Sequence, residues 1–221
     1  MKRIRCLALM LLPSSLKILV LRWLGHEIGR DVRIGYSYLD VESIVLENGV
    51  RIGHFNYFKN LRRLTMREGA RIGGYCNWFT ATAANDEGNP DFGCLEVGRG
   101  SNMTARHYFD LQAGIVIGDE TLIAGFGSVF LTHTYTPDLR NVNAAIRIGP
   151  RCYVGSHVIL LPGIAVGPCS FIGAGAVITK DFSAESGVLL AGNPARIKRK
   201  YSTDSWFFVA DHSSFLPRRA H

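Results

Sequence analysis

Residues 148–183 read IGPRCY, VGSHVI, LLPGIA, VGPCSF, IGAGAV, ITKDFS: six consecutive six-residue units, each opening on an aliphatic residue, at 148, 154, 160, 166, 172 and 178. Gly usually follows the aliphatic residue, and a small or β-branched residue commonly stands four positions after it. A six-residue unit is too short for a helix and ends where a turn tolerates Gly, so each hexad reads as a short strand plus a corner, and three hexads close one triangular coil.

The frame extends upstream. IGDETL, IAGFGS and VFLTHT begin at 117, 123 and 129; VGRGSN, MTARHY and FDLQAG at 97, 103 and 109; MREGAR, IGGYCN and WFTATA at 66, 72 and 78; LENGVR, IGHFNY and FKNLRR at 46, 52 and 58; IGRDVR and IGYSYL at 28 and 34. A further hexad would begin at Asp40, where a charge fills an apolar position, so Leu39 or Val41 must substitute. Coils therefore begin at 28, 46, 66, 97, 117, 148 and 166, seven in all. Lengths above 18 residues mark insertions, short ones near 59–65 and 110–116, and long ones in TATAANDEGNPDFG after Trp78 and TYTPDLRNVNAA after His133. Stacked coils bury one aliphatic ladder per face, and Cys76, Ser101, Thr121, Cys152, Ser170 and Ala176 are expected in the buried small position.

The chain has 221 residues and a formal net charge of +7, with the positive excess in residues 1–30 and 193–221 around a near-neutral middle. An end-loaded charge suits a membrane surface or small phosphorylated ligands, and argues against nucleic acid, which needs a contiguous basic stripe. Five cysteines without a C-x-x-C pair indicate neither a disulfide framework nor a thiolate zinc site, so a reducing cytoplasm is the expected location. The basic start and the apolar run 6–12 imitate a signal peptide, but Pro13 interrupts and no A-x-A site follows, so the segment reads as uncleaved. Residues 15–25, SLKILVLRWLG, fit a short amphipathic helix that either caps the domain or lies peripherally on the inner membrane face. Three parts follow: an N-terminal cap at 1–27, a repeat domain at 28–183, and a C-terminal extension at 184–221.

Tandem [LIV]-G-x-x-[STAVC]-x hexads, an excursion carrying a His, and the closing AGNPARIKRK together resemble the hexapeptide-repeat acyltransferases, over about residues 26–200. TARHYFD and FLTHTYT are similar to segments of the sugar and polysaccharide O-acetyltransferase branch. The resemblance implies an all-β, left-handed parallel β-helix, acetyl-CoA as co-substrate with no metal, a sugar or glycan acceptor, and a homotrimer with active sites between subunits.

Two histidines, His107 and His133, replace the expected small residue four after the aliphatic one. His133 stands where a regular coil gives way to an excursion, and the resemblance makes it the general base, a task suited to imidazole; a structural loop residue is the alternative. His107 could contact the acceptor, support the site or satisfy backbone groups at a corner. Asp110 could orient a His or bind a sugar hydroxyl. The resemblance further matches Gly155 and Ser156 to the thioester-facing backbone, Ala174, Thr179 and Lys180 to pantetheine and adenosine contacts, and Arg196 and Arg199 to the phosphates. The reading is therefore an acetyl-CoA-dependent sugar O-acetyltransferase. An N-acetyltransferase of an amino nucleotide sugar and a non-catalytic β-helix scaffold are the rivals. A metal hydratase on the same fold would need a histidine five after His133, where Asp138 stands.

Overall fold

The computed structural model describes residues 2–82 and 88–205, with side chains from residue 4; part of the insertion after Trp78 and the end of the C-terminal extension lie outside the described residues. Parallel strands of two to ten residues stack into a β-helix with three faces, numbered here in chain order. The first face carries the buried ladder Leu46, Met66, Val97, Ile117, Ile148 and Val166, with the half-buried Ile28 below it; the second carries Ile34, Ile52, Ile72, Met103, Ile123, Val154, Ile172 and Leu190. These are the residues that the period of six selects. Each two-residue strand pairs in register with the coil above and below, as in Arg33–Ile34 against Arg51–Ile52 and Tyr153–Val154 against Phe171–Ile172.

The third face departs from the frame. Its buried ladder is Leu39, Phe58, Phe79, Phe109, Phe130, Leu160 and Ile178. Leu39 substitutes for Asp40, but Trp78 and Val129 face outward and the residues after them, Phe79 and Phe130, face in. The preceding corners each hold an extra residue, with left-handed backbone at both Tyr75 and Cys76 and at both Gly125 and Gly127. Cys76 is consequently exposed, and Asn77 takes the buried place expected for it. Phe58, Phe79, Phe109 and Phe130 stack face to face at centroid spacings of 4.5, 4.7 and 4.4 Å, a coil-by-coil aromatic column.

The corners explain the small position chemically. At the second-to-third corner, Asn56 donates its N–H to Ser37 Oγ, Asn77 donates through Nδ2 to Asn56 Oδ1, His107 donates its N–H to Asn77 Oδ1, Ser128 to His107 Nδ1, and Val158 to Ser128 Oγ. Ser101, Thr121 and Cys152 form a similar line at the first-to-second corner. What the position demands is a short acceptor for the next coil's amide, since a buried N–H without a partner is costly. The first-to-second corner also carries one left-handed residue per coil, among them Asp31, Glu120, Arg151 and Cys169. Each non-Gly residue there costs roughly 1 kcal/mol that the ladder offsets.

The insertions keep to the corners. Tyr38–Leu46 and Tyr57–Met66 run unbroken round the third-to-first corner, and the segment 133–145 leaves there as an antiparallel hairpin, His133–Tyr135 against Asn141–Asn143. At the N-terminus, α1 (Lys2–Leu11) and α2 (Ser14–Trp23) cap the coil stack. Leu21 is buried, and Lys17 is buried too, its Nζ donating to the carbonyls of Met10 and Gly35; burial pushes its pKa down to about 8. Ile4, Leu7 and Leu11 on α1 and Leu16, Leu19 and Trp23 on α2 stay exposed at helical spacing. No described helix is long and apolar enough to cross a membrane. Because Phe109 sits mid-column, Phe109→Ala should cost about 3–5 kcal/mol in chemical denaturation.

Candidate active site

Asp110 ends the strand Tyr108–Asp110 at the third-to-first corner, and His133 lies one coil further on, at the root of the hairpin. Thr132, fully buried, occupies the corner and ties it: its Oγ1 donates to Asp110 O and accepts the Ala113 N–H. His133 is thus displaced from the corner position that the hexad frame gave it. This shift turns its ring outward, with a third of the side chain exposed, while the Asp110 side chain is 2% exposed.

One oxygen, Asp110 Oδ2, receives the Thr132 N–H at 3.0 Å, the His133 N–H at 3.2 Å and the His133 ring at Nδ1, 2.5 Å away. A carboxylate only accepts, so the Nδ1 proton is donated to it and the imidazole lone pair stands on Nε2. The dyad delivers an oriented base with its reactive nitrogen on the solvent side. Tyr135 meets the imidazole edge-on at 6.4 Å between centroids.

His107 has a different place. Its ring is 1% exposed, Nδ1 accepts the Ser128 N–H at 3.2 Å, and Nε2 donates to Thr104 Oγ1 at 3.0 Å. Of the three roles open on sequence, the geometry matches the corner one: His107 does for Ser128 what Asn77 does for His107. Burial pushes its pKa down to about 4.

The second-to-third corner gathers most of the remaining residues. Gly155 spends its N–H on Ile172 O in the coil ladder, which leaves Ser156 as the amide of that pair open to a ligand. Ala174 stands directly above, since a Cβ built on Gly155 would touch the Ala174 backbone at 2.8 Å. Below, Gly125 lies with φ +66 under Ser156, whose Oγ would collide with any side chain there. Above Ala174 the chain turns through 192–195 into the final strand Arg196–Lys200, which pairs antiparallel with Val188–Ala191. Arg196 and Arg199 are exposed on that strand; Arg199 lies over the Tyr201 ring at 5.1 Å. Thr179 and Lys180 are also exposed, but at the opposite edge of the third face, with Lys180 5.2 Å over the Phe182 ring.

Ser156 and Ala174 therefore flank the N-terminal edge of the third face and the dyad its C-terminal edge. Six residues of extended chain separate them, roughly 15–20 Å. A single chain does not bring them together. Among the described residues no group of three or more His, Cys, Asp or Glu side chains is arranged to hold a metal ion, and Asp138 is exposed and paired with Arg140 at 2.6 Å.

Residues 145–180 match the family model described as bacterial transferase hexapeptide (six repeats). The galactoside O-acetyltransferase of Escherichia coli (strain K12) is 35% identical over 104 residues, 44% of this chain and 50% of that protein. That of Lactococcus lactis subsp. lactis (strain IL1403) is 40% identical over 85 residues, 37% of this chain and 40% of that protein. The chain thus spans half or less of the length of these curated relatives. Two solved structures share the fold: the polySia specific acetyltransferase NeuO, at a TM-score of 0.51 and 19% identity over 87% of this chain and 89% of that one, and a galactoside acetyltransferase in complex with coenzyme A, at 0.50 and 21% over 91% and 82%.

His107 gives a stability test. Its folded pKa lies below the ordinary value of 6.5, so the unfolded chain takes up a proton that the folded chain refuses between pH 6.5 and about 4. Its contribution is full above pH 6.5 and is lost as pH falls to about 4. Melting temperatures measured across that window should drop with acid in the native chain, and His107→Asn should remove that part of the slope.

Proposed function

We propose that the chain is a hexapeptide-repeat acyltransferase, a reading its repeat and its fold support, and that it transfers an acetyl group from acetyl-CoA to a sugar hydroxyl. The observation that carries this reading is the His133–Asp110 pair, a base with one nitrogen held by a buried carboxylate and the other directed outward. In this mechanism His133 Nε2 takes the proton of the acceptor hydroxyl as its oxygen bonds to the thioester carbonyl carbon. Asp110 keeps the tautomer and stabilises the imidazolium that forms. The Ser156 amide donates to the carbonyl oxygen as it gains negative charge. When the C–S bond breaks, His133 returns the proton to the departing thiolate, leaving an acetyl ester, free coenzyme A and the starting state of the enzyme. Ala174 borders the pantetheine, and Arg196, at the head of the same corner column, and Arg199, further along the final strand opposite Leu189, neutralise phosphates. Thr179 and Lys180 stand at the opposite edge of the third face, so the adenosine they contact in this reading belongs to the coenzyme A held by the neighbouring copy.

His133→Ala should lower kcat by roughly 100-fold or more with the acetyl-CoA KM nearly unchanged, because the base acts on the acceptor. Asp110→Asn should follow it, since an amide cannot hold the Nδ1–H tautomer against the other. Mass detection of acetylated product from neutral sugars and amino sugars reads both. Recovery of the His133→Ala rate at alkaline pH would point to an amine acceptor, and activity at neutral pH would remove His133 from the mechanism.

The separation of the dyad from Ser156 supports a closed homotrimer. The outward residues of the third face, in register, are Tyr38, Tyr57, Trp78, Tyr108, Val129, Ile159 and Val177, all apolar or aromatic, with Trp78 49% and Tyr108 39% exposed. The second face instead shows Arg33, Arg51 and Arg71 outward in its first coils before Leu122, Tyr153 and Phe171 follow, and the first alternates Glu27, Glu96 and Arg147 with Val45 and Val116, so the third face carries the column that is apolar through all its described coils. Turning the third face of each copy toward a common threefold axis buries the apolar column and sets the Ser156 edge of one copy beside the His133 edge of the next. Sedimentation at micromolar concentration should give three times 24.4 kDa; a monomer would count against the shared site.

A further inference from the structure

The two N-terminal helices close the end of the coil stack with one face each and leave the other face bare. α2 packs against Glu27–Ile28 and Arg33–Ile34. Lys17 and Leu21, four residues apart, are buried there, Ser14 Oγ accepts the Ile34 N–H, and Arg22 donates to the carbonyls of Ile28 and Gly29. The opposite side of the same helix shows Leu16, Leu19 and Trp23, at the i, i+3, i+7 spacing of a single stripe and 50%, 59% and 84% exposed. α1 packs on Tyr38–Leu46 and buries Cys6, with Ile4, Leu7 and Leu11 on its far side. Of the eight Leu, Ile and Val side chains that are strongly exposed among the described residues, six lie between residues 4 and 24. The prism keeps its aliphatic side chains inside, and its cap does not. A helix serving only as a lid would carry polar residues on its water side.

Charge identifies what covers the stripe. Residues 1–26 hold five Lys and Arg and no Asp or Glu. In the first coil beyond them, exposed Glu27 and Asp31 are balanced by exposed Arg30 and Arg33, so this end of the molecule stays positive. An apolar row that ends on a Trp and is edged by cations suits a helix lying in the plane of an anionic bilayer, where Leu and Trp enter the acyl boundary and Arg and Lys meet lipid phosphates. With ten residues, α2 is about 15 Å long, roughly half the hydrocarbon thickness, so it lies on such a surface and does not cross it. Symmetry favours a flat partner as well. In the threefold arrangement proposed above, the three α2 stripes emerge at the same end of the assembly and face the same way. One sheet of lipid then meets all three together, and three modest contacts act as one strong one.

We propose that the bare face of α2, flanked by that of α1, docks on an anionic lipid bilayer and holds the protein there by its N-terminal end, with the coil stack standing away from the membrane. The proposal goes beyond the transferase reading and is tested without turnover.

The experiment is co-sedimentation of the full chain with vesicles of phosphatidylcholine alone and of phosphatidylcholine mixed with phosphatidylglycerol, in low and in high salt. The native chain should bind the mixed vesicles at low salt and lose roughly tenfold or more of that binding in high salt or without phosphatidylglycerol. Leu19→Ser and Trp23→Ala should each weaken binding about tenfold, the worth of one apolar side chain taken out of water. Arg5→Gln should weaken it about fivefold. Leu139→Ser, at an equally exposed leucine on the excursion hairpin, should leave binding as it is. Brominated lipid should quench the tryptophan fluorescence of the native chain, and Trp23→Phe, which keeps an apolar ring, should bind but lose that quenching. This last variant decides the matter should melting temperatures show that the others fail to fold. Absence of binding to mixed vesicles at low salt, equal binding to both kinds, a penalty at Leu139 equal to that at Leu19, or quenching that survives Trp23→Phe overturns the proposal. A smaller sedimenting mass of Leu19→Ser or Trp23→Ala without lipid also overturns it, because the stripe would then belong to a contact with a second copy of the chain.

Discussion

Everything in this molecule depends on register between coils. Each coil returns its backbone to within hydrogen-bonding distance of the one before, and the same atoms repeat the same bond: Gly35 N to Ile52 O, Gly53 N to Ile72 O, Gly73 N to Met103 O, Gly155 N to Ile172 O. A residue gained or lost inside a strand would move every later side chain to the wrong surface. Extra chain must therefore leave at a corner and come back at the same corner. The dyad exists because of that rule, since Asp110 precedes one corner and His133 opens the excursion from the equivalent corner of the next coil, where Thr132 holds the two together.

The corners supply the second half of the same logic. A triangular coil turns sharply three times, and each turn points backbone amides away from the strand ladders. Side chains such as Ser37, Asn56, Asn77, His107 and Ser128 take up those amides in a chain that climbs the prism. His107 belongs to this chain by its acceptor nitrogen, and burial keeps the ring neutral, so the imidazole that looked like a second catalytic candidate acts as a long serine.

Sequence periodicity specified the first two faces residue by residue because a Gly commonly follows the buried aliphatic residue there and marks it, as Gly53 follows Ile52 and Gly155 follows Val154. On the third face adjacent residues are both apolar, as in Trp78–Phe79 and Val129–Phe130, and hydropathy does not tell the inner one from the outer. The choice is made by how many residues the preceding corner holds. The same ambiguity marks that face as apolar on both surfaces, which is the basis for assigning it to subunit contact. His133 and Asp110 were legible as candidates because each breaks the pattern locally. Thr132 was not, since a Thr at a corner breaks nothing; only the fold shows it tying Asp110 to the root of the hairpin.

The excursion hairpin is closed at its base by a single backbone bond, Ala144 N–H to Thr132 O, after which Ile146 resumes the ladder. The eleven residues between 133 and 143 therefore owe nothing to the prism beyond that clasp and the hold of Asp110 on His133. Their composition and even their length can drift while the corner column around Ser156 stays intact. The solenoid thus behaves as a fixed chassis with an exchangeable loop at one corner, and descendants of such a chain could rewrite that loop without relearning how to fold.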